Sequence, residues 1–192
     1  MNLGNLKTAV ISFLLIAICV AGRMSAHTPN FTPVVAAALF AGFLFRSRAA
    51  ILLPLSAMLI SDLLIGFYDW RIMLIVYASL AVPAFLGLWL PDRMTAPRIL
   101  VSTISSSVVF FVATNFAVWA FSGMYEISLA GLTACYTAAL PFFRYSLAGD
   151  FAWSAALFGG YLLAAKLASS PSFTLHNQPV AQPETVVDTI AA

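Results

Sequence analysis

Charged residues are scarce in this sequence: they make up 8% of its 192 residues, whereas hydrophobic residues make up 62%. A soluble domain carries about 25% charged residues, so the composition excludes an ordinary soluble domain and indicates a membrane protein with several spanning helices. The net charge is only +2 and no run of basic residues occurs. We therefore expect no nucleic-acid partner, and expect the lipid bilayer to be the main surrounding of the chain.

Cysteine and histidine are almost absent as well. Cys19 and Cys135 lie in apolar stretches, where a thiol behaves as a small hydrophobic group and not as half of a disulfide framework. The two histidines, His27 and His176, are too few for a metal cluster, and no nucleophile pairs with a base. A phosphate-binding glycine loop is missing, so the chain cannot hydrolyse ATP by itself. We expect no enzyme activity, no cofactor and no bound metal.

The apolar residues that dominate the chain fall into six segments long enough, or nearly so, to cross a bilayer. The third segment would be about 28 Å long as a helix, close to the thickness of the hydrocarbon layer. The second would be about 20 Å long and needs a re-entrant approach or a thinner bilayer. The segments cover approximately residues 7–22, 33–45, 49–67, 72–90, 99–120 and 147–166. They predict an all-α membrane fold with six transmembrane helices.

The first segment also has features of a signal peptide, because Lys7 precedes the apolar run and Ser25 and Ala26 follow it. Its amino-terminal part carries a single positive charge, and the rest of the chain stays in the membrane in any case. We therefore favour a retained first helix that ends near Arg23.

Two further regions shape the predicted architecture. Residues 127–143 are apolar but form a short stretch that contains Gly131 and Pro141, so we predict a membrane-associated helix here instead of a seventh crossing. Residues 169–192 are rich in Ser, Pro, Gln and Thr, which is typical of a disordered polar tail. We accordingly predict one transmembrane helical domain at 1–168, followed by this tail.

The orientation of the helices follows from their basic residues, since lysine and arginine are enriched in cytoplasmic loops. With both termini inside, six basic residues face the cytoplasm: Lys7, Arg46, Arg48, Arg93, Arg98 and Lys166. Three face outwards: Arg23, Arg71 and Arg144. The sequence thus predicts a multi-pass protein of the inner (cytoplasmic) membrane with N-in, C-in topology.

Asp62 lies within the uninterrupted apolar stretch 49–68. A carboxylate at that depth costs about 3 kcal/mol on insertion scales, so it should face the interior of the bundle or a water-filled cavity, and it should have a partner. A structural ion pair with Arg71 or Arg144 is the alternative to a functional role.

In the predicted topology, polar and aromatic side chains from several helices meet at the outer end of the bundle. Asn115 and Trp119 share one helix face, and Asp150 and Trp153 share another. A few polar groups in an aromatic-rich concavity are typical of a small-molecule site. The candidate substrate-binding residues are Asp62, Asn115, Trp119, Asp150, Trp153, Arg144, Tyr68, Tyr125, His27 and Asn30.

Each of these residues also has a structural explanation. Tryptophan and tyrosine are enriched at membrane interfaces whatever the function of the protein. Buried amides such as that of Asn115 join transmembrane helices. Asp150 suits the amino-terminal end of a helix, or a pair with Arg144. These groups therefore indicate a site only if they share one end of the bundle.

Several segments resemble a family of small bacterial membrane proteins of unknown function that are labelled as transport proteins. The segments are 27–33 (HTPNFTP), 114–119 (TNFAVW), 140–143 (LPFF) and 149–150 (GD), and the resemblance covers most of residues 27–160.

More distantly, the chain is similar to the substrate-binding S components of energy-coupling factor (ECF) vitamin transporters. That similarity implies six helices, both termini in the cytoplasm, and a vitamin site near the outer face. It also implies a transmembrane coupling subunit with ATPases as partner. Pro141 and Phe142, followed by Gly149 and Asp150, resemble an element that opens the last helix of several S components, although the spacer is longer here and no lysine follows Asp150.

Two hypotheses follow from the sequence. The first is a membrane protein that binds and transports a small, water-soluble, vitamin-like or heterocyclic molecule from the outer side. The second is a non-transporting membrane subunit or scaffold whose intramembrane polar residues only hold helices together.

Overall fold

The structure of the protein, a computed structural model, describes residues 3–25, 30–91 and 95–169. All regular secondary structure in these residues is helical, as the sequence predicts. The helices are α1 (Leu3–Met24), α2 (Val34–Phe45), α3 (Leu52–Ile65), α4 (Trp70–Leu88), α5 (Ala96–Phe121) and α6 (Leu129–Ala168), with a 3-10 turn at Arg48–Ile51 before α3.

Five helical segments within the described residues are long and apolar enough to cross a membrane: α1, α3 together with the turn before it, α4, α5 and α6. Their outer surfaces expose large apolar side chains such as Phe13, Leu63 and Leu74. Apolar surface on this scale is unusual for a soluble monomer and suits contact with lipid. The fold is therefore that of an all-helical, multi-pass membrane protein.

The short helix α2 lies in the centre of the bundle. Every residue from Val34 to Phe43 is buried, and α2 packs mainly against α4. A helix that is apolar on all sides is stable when other helices enclose it. Because other helices enclose α2, it does not need to be as long as the bilayer is thick.

Two glycines allow α2 and α4 to cross at close range. A Cβ atom added at Gly42 would overlap the carbonyl oxygen of Ala84, and one added at Gly87 would overlap the carbonyl oxygen of Leu39. Small residues at such crossings let helix backbones approach each other within a membrane, where packing contacts drive association.

Aromatic contacts join α2 to α6. The rings of Phe40 and Phe158 meet edge to face with their centroids 5.1 Å apart, and Phe43 lies 5.7 Å from Phe158. Edge-to-face pairs add stability beyond the apolar area that they bury. This cluster holds the part of α6 around Phe158 beside the central helix.

One prediction about the architecture was wrong. Residues 127–143 and 147–166 were expected to form separate helices, but α6 runs without a break through both, over 40 residues. Pro141 lies inside this helix. Proline removes one backbone hydrogen bond, but membrane helices tolerate it because neighbouring groups satisfy the freed carbonyl.

Contacts within the chain divide it into two compact units, Met1–Gly159 and Gly160–Ala192. The first unit contains α1 to α5, most of α6 and all the described residues of the candidate site. Apart from Ser169, the predicted polar tail at 169–192 lies outside the described residues. The N-in, C-in topology and the domain boundary after residue 168 stay predictions.

Candidate functional site

A cavity of about 430 Å³ opens between the helices of the bundle. Its lining comes from Arg23 near the end of α1, the start of α2 and the residues before it, Met58 and Ile65 of α3, Leu80 of α4, and the middle parts of α5 and α6. The volume falls within the usual range for small-molecule sites. The polar residues that line the cavity are Arg23, Asn30, Thr32, Ser107, Thr114, Asn115, Ser146 and Asp150.

Asp150 is the buried carboxylate of this cavity. Its side chain is only 4% exposed, and the Ser107 hydroxyl on α5 donates a hydrogen bond of 2.6 Å to Asp150 Oδ2. A bond this short to a carboxylate is typical of a charge-assisted hydrogen bond. One helical turn along α6, Ser154 accepts a hydrogen bond of 3.1 Å from the Thr103 hydroxyl. These two contacts set the position of Asp150 relative to α5.

Asp62 does not line the cavity, and its carboxylate is bonded to groups on two neighbouring helices. Arg23 Nη2 lies 2.6 Å from Asp62 Oδ1, and the Tyr77 hydroxyl donates a hydrogen bond of 2.9 Å to Asp62 Oδ2. Arg23 also contacts Met58 Sδ through Nη1, at 2.7 Å, and lines the cavity itself. The buried carboxylate of α3 is therefore paired with a cation of α1.

The sequence pointed to Arg71 or Arg144 as structural partners of Asp62, and the structure identifies Arg23 instead. Helix α1 packs along α3, which brings the end of α1 level with Asp62. Arg71 instead forms an ion pair with Asp69, at 2.9 Å, and the guanidinium of Arg144 lies 5.0 Å from the ring centre of Tyr145.

Phenylalanines form the aromatic wall of the cavity: Phe110 and Phe111 on α5, and Phe142 and Phe143 on α6. The rings of Phe111 and Phe143 pack with their centroids 4.4 Å apart. Sequence reasoning missed this wall and assigned the aromatic role to tryptophan and tyrosine. Helical spacing contained a usable signal, since Ser107, Phe111 and Asn115 follow one another at i, i+4 and i+8.

Three of the predicted site residues are brought together at the cavity: Asn30, Asn115 and Asp150. The Asn115 amide donates a hydrogen bond of 2.8 Å to the carbonyl of Phe111 on its own helix, which fixes the orientation of the side chain. Asn30 adopts a left-handed backbone conformation, with φ of 61°, at the point where the chain turns into α2. Asparagine tolerates this conformation better than most residues.

Besides Asp62, five described residues of the predicted site do not line the cavity. Trp119 Nε1 donates a hydrogen bond of 2.9 Å to the Glu126 carbonyl and thereby closes the loop between α5 and α6. Trp153 Nε1 is buried and has no hydrogen-bond partner among the described residues. The others are Tyr68, Tyr125 and Arg144, whose side chains range from half-buried to exposed. His27 lies outside the described residues.

The fold and the site together define the class of this protein: an all-helical, multi-pass membrane protein with a polar and aromatic cavity between its helices. Residues 4–173 match the model of the DUF6580 family, which is described as a family of unknown function. The chain therefore belongs to the DUF6580 family. No curated protein and no solved structure matches it.

Proposed function

We propose that this protein captures a small, water-soluble molecule in its cavity, from the outer side of a bacterial inner membrane, as the binding step of transport. The observation that carries the proposal is a nearly fully buried carboxylate, Asp150, that lines an aromatic and polar cavity between membrane-type helices. Ionisable residues at membrane depth are expensive, and they mark substrate or ion pathways when they face a cavity.

The composition of the lining also supports a binding role. Two amides, Asn30 and Asn115, and the hydroxyls of Thr32, Thr114 and Ser146 line the same space as the phenylalanine wall. An aromatic surface with a few placed hydrogen-bonding groups suits a vitamin-like or heterocyclic molecule, because a planar ring can pack on phenylalanine while its polar atoms meet the amides.

Transport itself needs a source of energy outside this chain, because no phosphate-binding glycine loop occurs in the sequence. We propose a mode of action like that of the S components of ECF transporters, in which a transmembrane coupling subunit with ATPases acts on the loaded binding protein. The six α-helices of the described residues and the cavity between them support this proposal.

A second candidate function is a non-transporting membrane subunit or scaffold. The arrangement of Arg23, Asp62 and Tyr77 favours it, because these polar groups bond to one another and join three helices. In this case the polar residues near the cavity would serve only to hold the bundle together.

Native mass spectrometry of protein purified in a mild detergent distinguishes the two functions. On the proposed function, a small metabolite co-purifies with the wild type. The Thr114→Trp variant, which fills the cavity from α5, should lose this metabolite. Val108→Trp is the matched control, because Val108 lies on the exposed side of the same helix and does not line the cavity. It should retain the metabolite.

Thermal unfolding of both variants checks that each is folded. A wild-type protein that carries no metabolite but retains a stoichiometric protein partner would support the scaffold instead. Equal loss of metabolite from Thr114→Trp and Val108→Trp, with both variants folded, would show that the molecule binds outside this cavity.

A further inference from the structure

We infer that the molecule bound in the cavity carries a protonated nitrogen, and that the Asp150 carboxylate is its counter-ion. This inference rests on the proposed function and assigns the chemical class of its substrate. Three features of the cavity carry it: the balance of charge around it, the bonding of the carboxylate, and the nature of its aromatic wall.

The charges at the cavity do not cancel. Two charged side chains of the described residues line it, Arg23 and Asp150. The charge of Arg23 is balanced by Asp62, whose carboxylate oxygen lies 2.6 Å away. Among the described residues, no basic side chain forms an ion pair with Asp150. The three groups together therefore leave one negative charge, which belongs to Asp150.

The bonding of Asp150 leaves room for a ligand. A carboxylate can accept about four hydrogen bonds, but Ser107 is the one donor to Asp150 within the described part of the chain. Its bond goes to Oδ2, so the acceptor capacity of Oδ1 is unused by the described protein groups. Because buried carboxylates are stable only when paired or well hydrogen-bonded, a ligand N–H⁺ group would supply what the protein does not.

The aromatic wall also favours a cation. Phenylalanine rings carry a negative potential on their faces, which attracts ammonium and protonated heterocyclic nitrogens. Phe111 and Phe143, together with Phe110 and Phe142, line the cavity on the helices that carry Ser107 and Asp150. An aromatic ring and a carboxylate in one cavity are complementary to a molecule that is both cyclic and positively charged.

The other ligand charges fit less well. An anion would meet the unbalanced charge of Asp150, while the guanidinium of Arg23 is already neutralised by Asp62. A neutral molecule that fills the cavity would leave the buried Asp150 carboxylate without a counter-ion. Both cases carry an electrostatic penalty that a cation avoids.

Three compounds of the same shape test the inference: benzylamine, which is protonated at neutral pH, benzyl alcohol, and benzoate. Their effects on the thermal unfolding midpoint of the detergent-solubilised full chain report binding, because a ligand of the folded state raises the midpoint. Benzylamine should raise the wild-type midpoint, and its apparent affinity should exceed that of the alcohol and of benzoate by about tenfold or more.

Asp150→Asn keeps the shape of the side chain and an oxygen that can accept the bond from Ser107. It should abolish the preference for benzylamine. Asp69→Asn is the matched control, because it removes the same charge from a residue that does not line the cavity. It should leave the preference unchanged. The comparison of the three compounds on the wild type remains decisive if Asp150→Asn does not fold.

The outcomes separate this inference from the proposed function. Equal binding of all three compounds overturns the inference but not the proposed function. Undiminished binding of benzylamine by folded Asp150→Asn does the same. If none of the compounds binds, the net charge of the co-purified metabolite decides: a cation supports the inference, and a neutral or anionic molecule overturns it. Absence of both compound binding and any metabolite overturns the proposed function, and the inference with it.

Discussion

Arg23 at the end of α1 and Asp62 in α3, 39 positions apart in the sequence, form an ion pair with 2.6 Å between Nη2 and Oδ1. Tyr77 of α4 donates a hydrogen bond to the other oxygen of Asp62, so three helices meet at one carboxylate. This explains how an acidic residue is accommodated in an otherwise apolar segment. It also separates the two buried acids: Asp62 is paired within the protein, whereas Asp150 lines the cavity.

The substitution Asp62→Asn should lower the free energy of unfolding by about 3 kcal/mol, because it leaves Arg23 with a largely buried and unpaired charge. The double variant Arg23→Met with Asp62→Leu should lose much less than the sum of the two single variants, since no charge remains to be compensated. Chemical denaturation in detergent measures the free energy of unfolding of Asp62→Asn, the two single variants and the double variant. Additive losses would contradict a coupled pair.

Glycine at the crossing of α2 and α4 is predicted to be indispensable. Gly42→Ala and Gly87→Ala should each lower the free energy of unfolding by about 3 kcal/mol or more, because the added methyl group overlaps the backbone of the facing helix. Gly159→Ala is the matched control, since nothing lies within 4 Å of a Cβ atom at that position. It should be neutral or stabilising, as alanine favours a helix. The thermal midpoint and the yield of monodisperse protein report these effects.

Two tryptophans should respond differently to replacement by phenylalanine. Trp119→Phe removes the hydrogen bond to the Glu126 carbonyl, whereas Trp153→Phe removes a buried N–H group that has no partner among the described residues. Trp119→Phe should therefore lower the free energy of unfolding by about 1 kcal/mol more than Trp153→Phe. Unfolding curves of the two variants, recorded side by side, check this. A larger loss from Trp153→Phe would mean that its indole N–H group is bonded after all.

The start of α4 should depend on pH. Asp69 caps this helix by accepting a 2.8 Å hydrogen bond from the backbone N–H of Arg71, and the side-chain hydrogen bond from Arg71 lowers the pKa of Asp69 from 3.8 to about 2. Because the folded pKa is depressed, the stabilisation by this carboxylate is complete above about pH 4 and is lost as the pH falls towards 2.

The Asp69→Asn variant provides the control for this titration, since asparagine caps helices but does not ionise. The difference in thermal midpoint between the wild type and the variant should shrink as the pH falls from 4 towards 2. A difference that stays constant over this range would show that the ionised form of Asp69 contributes no stability.

The helical segments were largely predictable because hydrophobic length is a local property of the chain. The predicted segment 99–120 corresponds to α5 (Ala96–Phe121), and 72–90 corresponds to α4 (Trp70–Leu88). The prediction failed at Pro141. This proline suggested a break between two helices, but α6 continues through it. Sequence alone does not show whether neighbouring groups compensate for the missing hydrogen bond of a proline.

The candidate site was only partly predictable. Asn115 and Asp150 were identified because the topology placed both near the same end of the bundle, and both line the cavity. Trp119 and Trp153 were expected to form the aromatic wall, but phenylalanines form it instead. The face that a helix turns towards a cavity depends on its rotation about its axis, and a nearly uniform apolar pattern contains little information about that rotation.

From its amino-acid sequence alone, this protein is all-helical and apolar enough to lie in a membrane, because these properties follow from composition and from the lengths of its hydrophobic segments. Only the tertiary structure decided that Asp62 pairs with Arg23 and that Asp150 lines the cavity. The reason is physical: lipid is as apolar as leucine, so hydrophobicity does not determine how membrane helices pack against one another. Close contacts such as the crossing at Gly42 and Gly87 determine how the helices pack. The packing in turn determines which polar groups meet.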